Sequence, residues 1–461
     1  MLRCYCEIST TKPDFRDRVG PEVFVWAAER SSAGFPRSRS LHSPPIGSAK
    51  HRLGGMTSGR HRRNLYPFPE LCYNRNIERK TSLPKDSGLN IAHRTLTNAP
   101  EPVCERQDVT FAQPLELLRH AITDQAFPGA SVAVTHRGKL VCLRALGRFT
   151  YDDASPQVTP ASIFDLASLT KVVATTTMAM ILYERGLLDL EMPVASIVHD
   201  FSQTDPRRLE ITLRMLLTHA SGLPAYEKLF LRARTKDELL AAAMATPLVA
   251  DPGARAEYSD IGFIILGVAL ERIAGESLDQ FCQDEIFGPL GMAHTGFLPP
   301  QSSRFSIPPT ADDQTFRHRI IQGEVQDENA SVMNGVAGHA GLFATAEDLA
   351  VFANALLSGG APLVRPETLA LFTRREEVPA GTARALGWDT PSTPSQSGKY
   401  FSAVSFGHLG YTGTSMWIDP RRELSVILLT NRTWPDCSNQ KIKQVRPQFH
   451  DAVIKALEAA G

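Results

Sequence analysis

Phe164-Asp165-Leu166-Ala167-Ser168-Leu169-Thr170-Lys171 runs directly into Val172-Val173-Ala174-Thr175-Thr176-Thr177-Met178-Ala179-Met180-Ile181-Leu182-Tyr183, with Gly186 just beyond. The pattern predicts the end of an extended segment turning into a helix, closed near the glycine. The helix is apolar or small on nearly every side, which places it in a core. It is too short and too rich in threonine to cross a membrane. Ser168 falls in the first turn, and Lys171, three positions on, shares its face. A serine hydroxyl needs a base within hydrogen-bond reach to become a nucleophile, and a lysine shielded from water can lose its proton and serve. The plainer alternative is an N-cap serine with a solvated lysine one turn later.

The spacing Ser-x-x-Lys also occurs at Ser9/Lys12, Ser82/Lys85 and Ser438/Lys441. The first two lie in polar, basic, unpatterned sequence, and the last follows a loop-like Trp434-Pro435-Asp436-Cys437. Only Ser168 opens a long apolar segment, so only there does the spacing have a scaffold.

The chain has 461 residues, 43% of them hydrophobic and 21% charged, the balance of an ordinary globular protein. Its zero formal charge conceals a gradient. Residues 1–100 carry 17 Lys/Arg against 8 Asp/Glu, and the remainder 32 against 41. Residues 1–107 read as a basic extension without helical or strand period, too polar to offset its ordering entropy and expected to be disordered. It contains no readable signal peptide, which makes the cytoplasm the default compartment, and nucleic-acid binding is not expected of it. The seven cysteines are odd in number and irregular in spacing, so neither a disulfide framework nor a structural metal is inferred. No phosphate-binding loop, dinucleotide fingerprint or His-Glu-x-x-His motif is present. We therefore expect no cofactor and no metal, and a small-molecule or peptide substrate as the partner. Oligomeric state is not readable.

Residues 108–461 form the body. Pro114 to Thr123 has a helical period. Gly129 to Thr135 and Leu140 to Ala145 read as two strands around the turn His136-Arg137-Gly138-Lys139. A mostly helical stretch follows to about residue 290, including Asp237 to Met244 and Ile261 to Ala274. Residues 300–335 read as a long polar loop, and long loops in compact domains are often functional. Thr345-Ala346-Glu347-Asp348 opens a helix to Leu357. Strands at Ser405 to Gly410, Ser415 to Ile418 and Leu424 to Thr430 precede a last helix from Pro447 to Ala460. The order strands, helices, strands, helix implies an α+β (α/β) architecture: one antiparallel sheet built from both ends of the body and flanked by helices. An all-helical lobe, about residues 165–345, is inserted between them. The Ser168 helix should start in the cleft between lobe and sheet.

Two further stretches complete a site. In Glu257-Tyr258-Ser259-Asp260 the tyrosine stands at a loop-to-helix junction, where its phenol can enter the cleft and, beside a lysine cation, be drawn toward phenolate. Gly407-His408-Leu409-Gly410-Tyr411-Thr412-Gly413-Thr414-Ser415 is glycine-dense and flanked by strands. It suits close approach of a substrate, with backbone N–H groups turned toward its carbonyl.

Together the three stretches resemble, in order, the S-x-x-K, Tyr-x-Asn and Lys-Thr-Gly elements of class C β-lactamases, D-Ala-D-Ala carboxypeptidases and related esterases, the penicillin-recognising serine hydrolases. Phe127-Pro128-Gly129, Leu217-Thr218-His219-Ala220-Ser221-Gly222-Leu223 and Thr345-Ala346-Glu347-Asp348-Leu349 match as well. Glu324 to Ala330 and Gly335 to Phe343 look like a subgroup that includes proteins named as D-Ala-D-Ala carboxypeptidases. The resemblance covers about residues 110–460 and implies a β-lactamase/transpeptidase-like fold. It also implies an acyl-enzyme on Ser168, with Lys171 as proton acceptor or shuttle, Tyr258 as general base and acid, and the N–H groups of Ser168 and Tyr411 as oxyanion hole. Substrate would lie against Asp260, His408, Gly410, Tyr411 and His339. The acyl donor would be an ester, a peptide or a lactam; a non-catalytic sensor of the same fold is the alternative.

Two positions depart from the family. Asp260 replaces asparagine and is expected to pair with Lys171. His408 replaces lysine and would be charged only part of the time near pH 7. Both favour a less anionic substrate than a β-lactam. His219 reads as a structural histidine in its turn, and His339 as a residue lining the cleft.

Overall fold

The strand Gly129–His136 alternates between two cores. Ala130, Val132 and Val134 face one and Ala133 the other, and all are buried. The computed structural model describes residues 99–202 and 205–460. The basic extension lies almost wholly outside the described residues.

In chain order the elements that frame the site are β1 (Glu101–Pro102), α1 (Ala112–Thr123), β2 (Gly129–His136), β3 (Lys139–Gly147) and α2 (Thr177–Glu184). There follow α3 (Leu213–Leu217), α4 (Asp260–Ala274), α5 (Glu328–Val332), α6 (Ala346–Leu357), β4 (Phe406–Leu409), β5 (Ser415–Asp419), β6 (Leu424–Thr430) and α7 (Ile442–Ala460). The six strands form one sheet in the order β1-β3-β2-β6-β5-β4. Every neighbouring pair is antiparallel except β1 with β3, where Glu101 lies opposite Lys139 in parallel. The folded body thus begins by Glu101, several residues before position 107, because this short strand covers the edge of β3.

The join between chain ends is made by β2 and β6, from Leu424 opposite His136 to Thr430 opposite Ala130. One face of the sheet packs on α1 and α7 through Leu115, Leu118, Phe449 and Val453. The other packs on α6 and, beyond it, the lobe. Residues 165–345 are mostly helical but also hold short strands. Leu342–Ala344 pairs with Phe164–Asp165 and with Gly296–Phe297, and Ala311–Asp313 pairs with Arg319–Ile321. The long polar loop is therefore ordered around this hairpin and α5.

Two elements differ from the sequence reading. Helix α7 starts at Ile442, ahead of Pro447, since Ile442, Val445 and Phe449 are all needed in the core against α1. The segment from Ser168 is not one α-helix. It is a 3-10 turn over Ala167–Leu169, a π-helical stretch over Lys171–Thr176, and only then α2. Hydroxyls explain the change: Thr170 Oγ1 donates to the Ala167 carbonyl at 2.6 Å and Thr177 Oγ1 to that of Val172 at 2.9 Å. Each threonine takes a carbonyl that a regular ladder would use.

Candidate active site

Ser168 stands on a strained turn. Ala167 has φ +47°, a left-handed value that costs a residue with a Cβ about 1–2 kcal/mol. The carboxylate of Asp165 holds this turn, accepting from the Ala167 N–H at 2.8 Å through Oδ1 and from the Gln326 N–H at 2.6 Å through Oδ2. Burial raises the Asp165 pKa to about 6, while those two N–H donors oppose the rise.

Two groups meet at Ser168 Oγ. Tyr258 Oη donates to Ser168 Oγ at 2.7 Å, and Lys171 Nζ lies 2.9 Å from the same oxygen. Lys171 is completely buried, and Nζ also donates to Asp260 Oδ1 at 2.6 Å and to the His339 carbonyl at 3.0 Å. A neutral amine has two N–H bonds and one lone pair. In that form, with both N–H bonds given to Asp260 and His339, the lone pair faces the Ser168 hydroxyl, whereas an ammonium donates to all three oxygens. Burial lowers the Lys171 pKa, and the Asp260 carboxylate opposes that shift. Burial, reinforced by Asp260, pushes the Tyr258 pKa well above its ordinary value. The resting phenol is therefore a proton donor, and the expectation of a phenolate favoured by Lys171 is corrected: desolvation and the aspartate outweigh the Ser168 hydrogen bond and the Arg384 charge.

Local sequence explains how Tyr258 reaches the serine. Ser259 caps α4, its Oγ accepting from the Gly262 N–H at 3.0 Å, and Gly275 closes the helix at φ +71°. The Ser259 N–H donates to His219 Nδ1 at 3.0 Å, and the His219 ring lies 4.7 Å from that of Tyr258 and 5.0 Å from that of Phe263. Burial lowers the His219 pKa well below its usual value, which keeps Nδ1 a free acceptor. His219 is thus the structural histidine of its turn, and it fixes the tyrosine.

The glycine-dense stretch lies against the Ser168 turn. Thr412 Oγ1 donates to the Asp165 carbonyl at 2.8 Å and Thr414 Oγ1 to that of Leu166 at 2.9 Å. A Cβ on Gly410 would stand 2.4 Å from the Leu166 carbonyl oxygen, so only glycine fits there. Arg446, from α7, donates to the Gly410 carbonyl at 2.7 Å, and Arg432 to the Tyr411 carbonyl at 2.7 Å while stacking on its ring. Arg446 thereby holds the peptide plane that carries the Tyr411 N–H, and Arg432 holds the one that follows it. Neither arginine was expected in this role, since Arg432 acts from 21 residues away and Arg446 from 36.

Two expectations about substrate contacts are corrected. His408 is 2% exposed, its Nδ1 lies 2.8 Å from the Leu409 carbonyl, and burial lowers its pKa to about 4, so it is neutral at pH 7. His339 does not line the cleft. Its side chain is 1% exposed with Nε2 2.8 Å from Asp327 Oδ1, and only its carbonyl reaches the site. Sequence reasoning missed Arg384, whose guanidinium lies 5.5 Å from the Tyr258 ring centre and is ion-paired with Asp389. Among the described residues no group of three or more His, Cys, Asp or Glu could hold a metal ion, and no helix is long and apolar enough to cross a membrane.

The model of the Beta-lactamase family matches residues 115–446. Proteins named "Putative D-alanyl-D-alanine carboxypeptidase" from Salmonella agona and Salmonella typhimurium are 30% identical over 358 residues, 69% of this chain and 82% of theirs. Among solved structures, a penicillin-binding protein homologue from Caulobacter crescentus superposes with a TM-score of 0.61 at 21% identity, covering 77% of this chain and 98% of its own. EstCE1, described as a hydrolase with promiscuous acyltransferase activity, gives a TM-score of 0.61 at 22% identity over 75% and 99%. Simvastatin synthase from Aspergillus terreus gives 0.59 at 23% over 76% and 99%. At these identities the structural likeness speaks for the fold.

Proposed function

Because the chain belongs to the β-lactamase family, we propose that it is a serine hydrolase working through an acyl-enzyme on Ser168. The observation that carries this reading is the convergence of Lys171 Nζ and Tyr258 Oη on one serine oxygen, at 2.9 and 2.7 Å. Binding alone requires no such convergence.

Lys171, as a neutral amine, takes the Ser168 proton while Oγ attacks the substrate carbonyl. The oxyanion that forms is received by the N–H groups of Ser168 and Tyr411. As the tetrahedral intermediate collapses, Tyr258 gives its proton to the departing alcohol or amine, and Lys171 returns a proton to Tyr258. The serine proton thus ends on the leaving group. Water then attacks the ester, loses its proton to the same pair, and Ser168 recovers one as the acid leaves. In the resting site the base is lysine and the acid is tyrosine.

The acyl donor we favour is an uncharged ester or a peptide amide. His408 is neutral, and Arg384 is already paired with Asp389, so neither offers a ready charge to a β-lactam carboxylate. The curated relatives' name keeps a peptide ending in D-alanine among the candidates.

The test is hydrolysis of a chromogenic acetate ester in the first seconds, wild type beside Ser168→Ala, with intact mass of the quenched protein. A burst and an acetyl adduct, both absent from the variant, are expected. Equal turnover in the two proteins would overturn the assignment.

A further inference from the structure

Behind Lys171 lies a chain of contacts that takes no part in the proton transfers. The His339 carbonyl accepts from Lys171 Nζ at 3.0 Å, and the preceding carbonyl, of Gly338, accepts from Thr175 Oγ1 at 2.7 Å. The same short segment therefore grips the Ser168 helix at two points one turn apart. The His339 ring is buried, and its one hydrogen bond among the described residues is Nε2 with Asp327 Oδ1, at 2.8 Å; Nδ1 has none. The ring's orientation is thus set by Asp327.

Asp327 is itself held rigidly. The same Oδ1 accepts from the Ala330 N–H at 2.7 Å, capping α5. Just before it, the Gln326 N–H donates to Asp165, while Arg317 donates to the carbonyls of Val325 and Gln326 at 2.7 and 2.6 Å and pairs with Asp313 at 2.9 Å. One segment of the polar loop, residues 325–327, therefore steadies both the Ser168 turn, through Asp165, and the Lys171 amine, through His339.

We propose that Asp327, acting through His339, is a positioning residue that keeps the Lys171 lone pair on Ser168. The inference rests on the hydrolase reading above. Neither side chain is assigned a contact with substrate. Their work is to hold the His339 carbonyl where one Lys171 N–H must point at it. Without that anchor the amine can turn, and its lone pair leaves the serine hydroxyl.

The test uses two disruptive variants, Asp327→Ala and His339→Leu, and two conservative ones, Asp327→Asn and His339→Gln. Asparagine keeps an oxygen that can accept from both Ala330 and His339, and glutamine keeps an N–H for Asp327. Three readouts apply to the full chain: the burst rate constant on the acetate ester with its KM, thermal melting, and the Lys171 Cε signal in 13C-lysine NMR, assigned with Lys171→Arg. The disruptive pair should acylate about 100-fold more slowly at nearly unchanged KM, with the Lys171 signal displaced. The conservative pair should regain most of the rate and the wild-type signal. Folded Asp327→Ala and His339→Leu proteins that acylate at the wild-type rate, or keep the wild-type Lys171 signal, would overturn the proposal. If Asp327→Ala fails to fold for want of its cap, His339→Leu leaves the cap intact and decides. If the wild type shows no Ser168-dependent burst, the hydrolase reading falls, and the NMR signal still reports whether Asp327 positions Lys171.

Discussion

Substituting Gly338 by alanine tests the backbone strap behind Ser168 and Lys171. A Cβ built there lies 2.2 Å from the Phe263 carbonyl oxygen, 3.0 Å from Gly267 Cα and 3.1 Å from Gly267 N. Carbon and carbonyl oxygen approach no closer than about 3.3 Å, so strap and α4 must separate by roughly 1 Å. Both partners are backbone, and neither can rotate away. The strap carries the Gly338 and His339 carbonyls, which hold Thr175 at 2.7 Å and Lys171 at 3.0 Å. Moved by that amount, the Lys171 contact is broken. Overpacking costs about 1–3 kcal/mol, and each lost buried hydrogen bond about 1 kcal/mol more. Melting should fall by several degrees, and a displacement of this size near the chemistry costs on the order of 100-fold in rate. Gly267→Ala gives a graded comparison, since its Cβ meets Gly338 at 3.0 and 3.1 Å and needs only a few tenths of an ångström. Gly296→Ala, with nothing within 4 Å, is the control. The assay is kcat/KM on the acetate ester beside a thermal melt for each variant. The expected order of loss is Gly338, then Gly267, with Gly296 unchanged. A folded Gly338→Ala protein with kcat/KM within twofold of wild type would refute the claim that strap geometry sets Lys171.

Other outcomes follow from the same site. Tyr258→Phe removes the 2.7 Å donor to Ser168 and should cost about 100-fold or more, whereas Tyr411→Phe should cost little because that residue serves through its backbone; equal losses in kcat/KM would contradict the roles. In the proposed mechanism the active form has Lys171 neutral, so kcat/KM should rise with pH through the lysine titration. Asp260→Asn removes the charge that favours the lysine proton, and the rise should move to lower pH; a move to higher pH would show that Lys171 is not the base. His408 contributes to acid lability. Its folded pKa is about 4 against an ordinary 6.5, so the unfolded chain takes up a proton first as pH falls, and up to ~3 kcal/mol of stability present above pH 6.5 is lost toward pH 4. Urea unfolding of His408→Asn at pH 7.5 and 4.5 should show a smaller difference than wild type; an equal one would place the lability elsewhere.

The elements that depend on local pattern were legible in the residues. The strand read from Gly129 to Thr135, the helix read from Ile261 to Ala274 and the one opened by Thr345 and ending at Leu357 have nearly the bounds found. Lys171 and Asp260 are an expected pair, because an aspartate at that position can only accept. Two ionisation states and one placement were not legible. His408 read as a part-time cation, Tyr258 as inclined to phenolate and His339 as a cleft residue. Burial reversed all three, and burial is a property of what surrounds a residue, not of its neighbours in sequence.

By itself the sequence determined most of the strands and helices, many of them to within a few residues, and singled out the three side chains, Ser168, Lys171 and Tyr258, that the structure brings together, since propensity, capping and periodicity act over a few residues. Only the tertiary structure decided the rest. It seated Arg446 and Arg432 from the end of the chain on the Gly410–Tyr411 turn, set Arg384 over Tyr258, and brought residues 325–341 up behind Ser168 and Lys171. These groups stand from 21 to 168 residues from what they hold. Their meeting depends on packing two cores around one sheet, and the proton affinities in the cleft follow from the water that this packing excludes.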